Sequence, residues 1–407
     1  MTPPGSPQPS VATLHADLTR SSANAPTSSL VDGMYAFGQD LIGHTSASSQ
    51  NTVVSPLSIA LAFSMARAGA HGATAAELDR IFHFPAGMRD EAFNTLTRGL
   101  ITTDGTPPRT TATPSPGTPP PPPIVAIANS LWLDQGFHVR QPFLNTLAEQ
   151  YGAGVRSVDF SSPSALVAIN EWVQEQTADR IKKLFDQLDP ATKLVLANAI
   201  YLKASWIFQF DPKLTRDAAF TRRDGSVIHV STMHEDEVLS YAEGPGWQAV
   251  ELPYASSHLA MWVLVPTGHT DPAALLDPAT LQAAVAQHHA EDVELALPKW
   301  DFSTTLDLGE VLAQMGVHEA FSPAADFSGI SPDLYISQAV HRANITVDEN
   351  GTEAAAVTGL AMALGAMRTT RTVHVHADHP FAFAIVDSRS RAPLFLGTVT
   401  DPKAEGS

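Results

Sequence analysis

A large domain of the α+β class is what the chain predicts, and three observations carry the prediction. Apolar residues recur at helical spacing through much of the first half, alternating or continuously apolar runs take over from Lys193, and no fixed-period repeat divides the 407 residues into modules. With 44% hydrophobic residues, the chain has ample material for a buried core.

The elements follow in order. Residues 1–28 are rich in Pro, Ser, Thr and Ala and are expected to form a disordered tail, with the domain running over 29–403. A first helix is expected from Ser29, where Leu30, Met34, Phe37 and Leu41 share a face. In NTVVSPLSIALAFSMARAGAHGATAAELDRIF (Asn51–Phe82) a short apolar strand precedes a Ser-Pro helix start, a buried helix ending at Gly69 and a second helix. Pro56 stands where a first helical turn tolerates the missing N–H. The prolines of TTDGTPPRTTATPSPGTPPPPP (102–123) can join neither a helix nor a sheet interior, so an exposed polyproline II loop is expected to interrupt the domain there.

IVAIANSLWL (Ile124–Leu133) reads as a strand, and AINEWVQEQTADRIKKLF (Ala168–Phe185) as an amphipathic helix with Ile169, Trp172, Val173 and Ile181 on one side. KLVLANAIYLKASW, GWQAVELPYA, HLAMWVLVP and EDVELALPKWDF are strand-like. Helical spacing returns in TTLDLGEVLAQMGV (Thr304–Val317), and PFAFAIVDSRSRAPLFLGTVTDP reads as two buried strands joined by a Ser-Arg turn.

Composition excludes several functions. A formal net charge of −18, from 24 basic and 42 acidic residues, would repel a phosphate backbone, so no nucleic acid partner is expected. The absence of cysteine removes disulfides, thiolate metal sites and cysteine nucleophiles. No window of about 18 apolar residues occurs, so no membrane span is expected. The start, MTPPGSPQPSVATLHADLTRSSANAPTSS, has no basic segment followed by an apolar run, which makes an intracellular location the default and leaves an extracellular one open. The Ala/Pro/Thr-rich, Lys-poor composition points to a GC-rich, bacterial genome.

Enzyme chemistry is equally hard to place. G-x-S-x-G, H-E-x-x-H and G-x-x-x-x-G-K-[ST] are all missing, and YGAG at 151–154 lacks the third glycine of a dinucleotide fingerprint. In VHVHADH, period-two spacing puts His374 and His376 on one strand face, with His379 beyond, but Asp378 is the only carboxylate near them in sequence. A half-exposed polar strand explains them without a metal, and a solvated surface explains the adjacent His288 and His289.

These motifs, in their order, resemble the serpin family from Ser29 to Pro402. NTVVSPLSIALAFSMARAGAHGAT is similar to the family's entry into its second helix, and LANAIYLKASW (Leu196–Trp206) to the strand bearing an asparagine and a tryptophan, here Asn198 and Trp206. LPKWDF, MGVHEAF and ADFSGI follow in family order, ISQAVHRANITVDENGTEAAA (Ile336–Ala356) resembles the strand and hinge before the reactive centre loop, and DHPFAFAIVDSRSRAPLFLGTVTDP resembles the family's close. The resemblance implies one serpin-type domain, with a central mixed β-sheet, further sheets, surrounding helices and, over 349–377, a hinge and an exposed reactive centre loop. It also implies a monomer that is no enzyme and needs no cofactor, acting as a suicide substrate for a serine protease. A non-inhibitory serpin, acting as a binding or chaperone-like module, is the alternative.

In such an inhibitor the cleaved loop enters the central sheet as a new strand and carries the acylated protease along, serpin loop insertion being an established example of strand addition. Counting as the family does, the hinge is Glu349, Gly351, Thr352, Glu353, Ala354, Ala355, Ala356 and Thr358, and the inward-facing set is Thr352, Ala354, Ala356, Thr358, Leu360 and Met362. None of the six is charged or proline, while Glu353 falls on the outward phase and Gly351 lends flexibility. Fixing a residue costs about 1–2 kcal/mol and a ladder hydrogen bond returns about 0.5–1.5, so burial and relieved strain decide whether insertion proceeds.

Seventeen residues counted from Glu349 give Gly365–Ala366 as the reactive bond, which suits a subtilisin- or elastase-like protease. Met367–Arg368 and Arg368–Thr369 are alternatives, the latter inviting a trypsin-like enzyme. The resemblance also implies a polar cluster beneath the sheet, Ser55, Ser58, Asn198 and His341, that exchanges hydrogen bonds as strands part. Heparin-like activation is not expected, because Arg109 is the one basic residue of the Pro-rich insert.

Overall fold

The computed structural model describes residues 11–22, 24–45, 50–102, 106–108, 120–268, 270–353 and 372–403. Its first half is helical between short strands: β1 (Ala12–Leu14), α1 (Ser28–Thr45), β2 (Thr52–Val54), α2 (Pro56–Arg67), α3 (Gly72–Ile81), α4 (Arg89–Leu100), β3 (Ile124–Asp134), α5 (Gln141–Thr146), β4 (Val155–Val158) and α6 (Ser164–Gln176). The second half is mostly strand: β5 (Leu194–Ser205), β6 (Arg216–Thr221), β7 (Val227–Gly244), β8 (Trp247–Pro253), β9 (Leu259–Pro266), α7 (Pro278–Gln287), β10 (His289–Pro298), β11 (Trp300–Asp307), α8 (Leu308–Gln314), β12 (Ile336–Asp348), β13 (Gly351–Thr352), β14 (Thr372–His376), β15 (Phe381–Asp387) and β16 (Pro393–Val399). None of the described helices is long and apolar enough to cross a membrane.

Two sheets organise these strands. The first is mixed and runs β1-β4-β3-β5-β13-β12-β11, with β5 also paired directly to β12; the second runs β14-β10-β7-β8-β9-β15-β16-β2, with β6 on the flank of β7. Every side chain of β5 except Lys203 is buried, as a strand covered on both faces requires. Its two faces meet two cores. Leu196, Ile200, Leu202 and Ala204 join the main core with α2, whereas Val195, Ala197 and Ala199 pack under α6 with Ile169, Val173 and the edge-to-face pair Trp132 and Trp172, 5.9 Å between centroids. Under the helices of the first half, Phe63 and Phe82 stack at 4.8 Å and Phe82 and Phe84 at 5.3 Å.

Three expectations need correction. The N-terminal tail is ordered against the domain from Val11: β1 pairs with β4 (Ala12 opposite Ser157), and Arg20 reaches into α4, its Nε donating to Asn94 Oδ1 at 2.8 Å. Polar composition hid a segment held by an arginine clamp on a buried amide. The helix expected over 168–185 ends at Gln176, because Thr177 turns its hydroxyl back onto the Val173 carbonyl and Ala178 and Asp179 take positive φ. The helix expected from Thr304 begins only at Leu308, since residues through Asp307 pair with β12 and the Asp307 carboxylate then caps the helix, accepting from Gly309 N and Glu310 N.

Arg20→Ala should leave the buried Asn94 carbonyl without its donor, a loss of about 1–3 kcal/mol. The thermal midpoint should fall by several degrees, and an unchanged midpoint would show that the tail contributes nothing to stability.

Candidate functional site

The site is built where β5 and β12 run side by side. They pair in parallel from Leu194 opposite Ile336 to Ile200 opposite Ala343, and there direct pairing stops. Beyond it the two strands are held apart by β13, whose Thr352 is opposite Ala204 on one side and Val347 on the other. One sheet is therefore closed along one half of the seam and occupied along the other.

Beneath the closed half lies a polar cluster in an otherwise apolar core. Ser55, at the N-cap of α2, accepts from Ser58 N at 3.1 Å, and its own backbone N–H donates to His341 Nε2 at 3.2 Å. That bond leaves the proton on Nδ1, which donates to Asn198 Oδ1. The Asn198 amide nitrogen donates in turn to the Ser58 carbonyl and hydroxyl, both at 2.7 Å, and to Asn129 Oδ1. Ser55, Ser58, Asn198 and His341 are all fully buried. The structure thus brings the four sequence-predicted residues together and adds Asn129 from β3, which donates to Ser58 O at 3.1 Å. Its signal was present as an amide inside the apolar run IVAIANSLWL.

Since Asn198 and His341 are opposite each other in the β5–β12 register, their bond is a side-chain rung across the seam. Burial pushes the imidazole down to about 3, so it is neutral across the ordinary pH range.

At the occupied half, several contacts fix the segment expected to be the hinge. Trp206 Nε1 donates to Asp348 O at 3.0 Å, its ring stacks on Tyr254 at 4.6 Å, and the Tyr254 and Thr352 hydroxyls bond at 2.6 Å. Gly351 has φ of +149°, and a Cβ there would sit 2.1 Å from the Ala204 carbonyl oxygen. Close approach to β5, more than the expected flexibility, is what requires glycine. Glu349 accepts from Lys299 Nζ at 2.7 Å and from Thr215 Oγ1 at 2.8 Å. Burial alone would raise its pKa, but the hydrogen bond from Lys299 and those from the backbone and Thr215 outweigh it, and the carboxyl is held below its usual range.

Thr352 faces the main core, and Glu353 faces the opposite side. That side is not solvent: the Glu353 side chain is 3% exposed and meets Arg180 Nε at 3.0 Å. Burial, only partly opposed by Arg180, pushes its carboxyl up to about 7. Arg180, Lys299 and Thr215 were not legible as hinge partners, because nothing in their local sequence marks them. Residues 354–371 lie outside the described residues, and with them Ala354, Ala355, Ala356, Thr358, Leu360, Met362 and the candidate bonds at Gly365, Ala366, Met367, Arg368 and Thr369.

Comparison with known proteins gives the arrangement its context. The profile of the family described as Serpin (serine protease inhibitor) matches residues 32–402. The chain belongs to the serpin family. An uncharacterized serpin-like protein of Thermococcus kodakarensis is 36% identical over 92% of this chain and 86% of its own length, and the leukocyte elastase inhibitor of Bos taurus is 34% identical over 86% and 93%. Among solved structures, the thermophilic serpin tengpin in its native state superposes with a TM-score of 0.84 at 26% identity, covering 96% of this chain and 99% of that one. In this serpin, the mixed sheet with its half-occupied seam is the central sheet of the fold, and the undescribed segment 354–371 runs from that seam to β14.

The neutral His341 fixes a sign. With a folded pKa near 3 and an ordinary value of 6.5, its contribution is complete above pH 6.5 and is lost as pH falls toward 3. In urea unfolding, the stability advantage of wild type over His341→Gln should shrink through that window by at most about 1.4 kcal/mol per pH unit. A pH-independent difference would mean that the imidazole is not held neutral.

Proposed function

We propose that this serpin is a suicide-substrate inhibitor of serine proteases and not an enzyme, in which loop cleavage lets the chain after Thr352 continue into the β5–β12 seam. The observation that carries the reading is the register. Thr352 sits between Ala204 and Val347, and the paired rows Asn198–His341 and Ile200–Ala343 keep the same offset between the two strands. A third strand can therefore slide in by lateral separation alone, about 4.8 Å, without any shift of β5 along β12.

Continuing the antiparallel register one residue at a time assigns each newcomer a place. Ala354 would come opposite Leu202 and Ile345, Ala356 opposite Ile200 and Ala343, and Leu360 opposite Leu196 and Ala339, all residues of the main core. Thr358 would come opposite Asn198 and His341. Insertion must break the Asn198–His341 bond, and the residue arriving between them carries a hydroxyl able to bond to either. Small apolar residues where the core is tight and a hydroxyl where two polar groups lose each other make up a coherent inserted strand.

Gly365–Ala366 is the favoured bond, with Met367–Arg368 and Arg368–Thr369 behind it. The leukocyte elastase inhibitor among the relatives supports an elastase-like target with a small primary pocket. A non-inhibitory serpin would be cleaved without trapping anything.

The test is incubation with subtilisin, pancreatic elastase and trypsin, denaturing gels for a covalent adduct, and the mass of the released C-terminal fragment. An adduct is expected with at least one protease, and the fragment mass identifies the bond. Thr358→Arg puts a charge opposite His341, at a cost of several kcal/mol to insertion. That variant should still be cleaved but give at least tenfold less adduct. Cleavage without adduct for all three proteases, or an adduct insensitive to Thr358→Arg, would sink the proposal.

A further inference from the structure

The described edge of the larger sheet carries a second cluster. β14 pairs in parallel with β10, placing His374 opposite Glu294 and His376 opposite Ala296, while β10 pairs antiparallel with β7, placing Glu294 opposite Asp236 and Ala296 opposite His234. Directly paired residues, and residues two apart on a strand, point to the same face. One face thus presents His234, Asp236, Glu294, His374 and His376 together.

Three of them converge. His374 Nδ1 is 3.0 Å from one Glu294 oxygen and His376 Nε2 is 3.6 Å from the other, and one donor atom from each residue lies within 4.8 Å of the others. Donor atoms around a tetrahedral zinc at about 2.0–2.1 Å are spaced about 3.4 Å apart, and an approach to within 4.8 Å leaves small side-chain rotations to bring the three donors onto one ion. Beside them is a cavity of about 170 Å³ lined by His234, Glu294 and His376, into whose neighbourhood His234 brings a buried Nε2 without a hydrogen-bond partner. Arg216 also lines that cavity and repels a cation from the His234 end. The favoured position is accordingly the Glu294–His374–His376 end. The carboxylate comes not from Asp378, which pairs with His379, but from the neighbouring strand.

We infer that Glu294, His374 and His376 form a surface site for a late first-row divalent cation such as Zn²⁺, clipping β14 to β10. Two imidazoles and a carboxylate suit that class of ion, with water completing the coordination. β14 is the terminal strand of its sheet among the described residues, and it is the first described element after 354–371, so its attachment to β10 anchors the far end of that segment. An ion shared between the two strands binds the docked form of β14 and not the peeled form, and so favours docking by mass action. This inference stands whether or not the chain inhibits proteases.

The test uses ZnCl₂ on the full chain after chelator treatment, followed by isothermal calorimetry and by hydrogen exchange of the β14 amides. One site per chain is expected, weakened at least a hundredfold in the exposed double variant His374→Ala/His376→Ala and at least tenfold in Glu294→Gln. The double variant His288→Ala/His289→Ala, at other exposed histidines, should bind as wild type does. Zn²⁺ should slow exchange across Thr372–His376 in wild type and not in the His374/His376 variant. No heat at millimolar Zn²⁺, or binding indifferent to loss of both histidines, overturns the site; binding without slowed exchange overturns the clip.

Discussion

A single register governs this molecule. β5 and β12 are parallel neighbours whose offset, after a bulge between Ile336 and Gln338, is the same from Val195 opposite Gln338 to where Thr352 stands between Ala204 and Val347. Parallel pairing demands a long crossover, and the chain between Ser205 and Ile336 supplies it by building most of the second sheet. The seam thus joins parts of the chain distant in sequence, held laterally by backbone ladders and by a side-chain rung from Asn198 to His341. Everything around it is either rigid, as in the doubly buried β5, or a polar group with somewhere else to bond.

That polar cluster lies where the proposed insertion would part the strands. Four fully buried polar residues, with the half-buried Asn129 beside them, would be costly if any were left unpaired. Here Asn198 donates to two Ser58 oxygens as well as to Asn129, and His341 accepts from the Ser55 amide. The imidazole stays neutral, so separating the strands never strands a charge.

Much of this was readable in the sequence, for physical reasons that differ by element. Strands buried on both faces, such as LANAIYLKAS, announce themselves by apolar runs, and Pro56 after Ser55 fixes a helix start by stereochemistry alone. The boundary errors came where side chains acted on the backbone through tertiary neighbours: Thr177 ended a helix whose pattern ran on, and the pairing of Asp307 with Val340 kept a strand alive inside a helical pattern. The N-terminal segment misled because polar composition does not reveal an arginine that finds a buried asparagine. The four seam residues were visible through their resemblance to a family, whereas Asn129, Arg180 and Glu294 depend on which strands become neighbours, and a linear pattern does not carry that.

The occupied half of the seam has one further meaning. A gap that tests only backbone register and side-chain size has no way to ask where an entering strand comes from. Gly351 and Thr352 hold that gap with their own chain, tied down by Trp206, Tyr254 and Lys299 through Glu349. In the closed sheet they act as a stopper. Loosening them would turn an intramolecular fit into an open berth for the equivalent segment of another copy, and the molecule's solubility would then depend on how crowded it is.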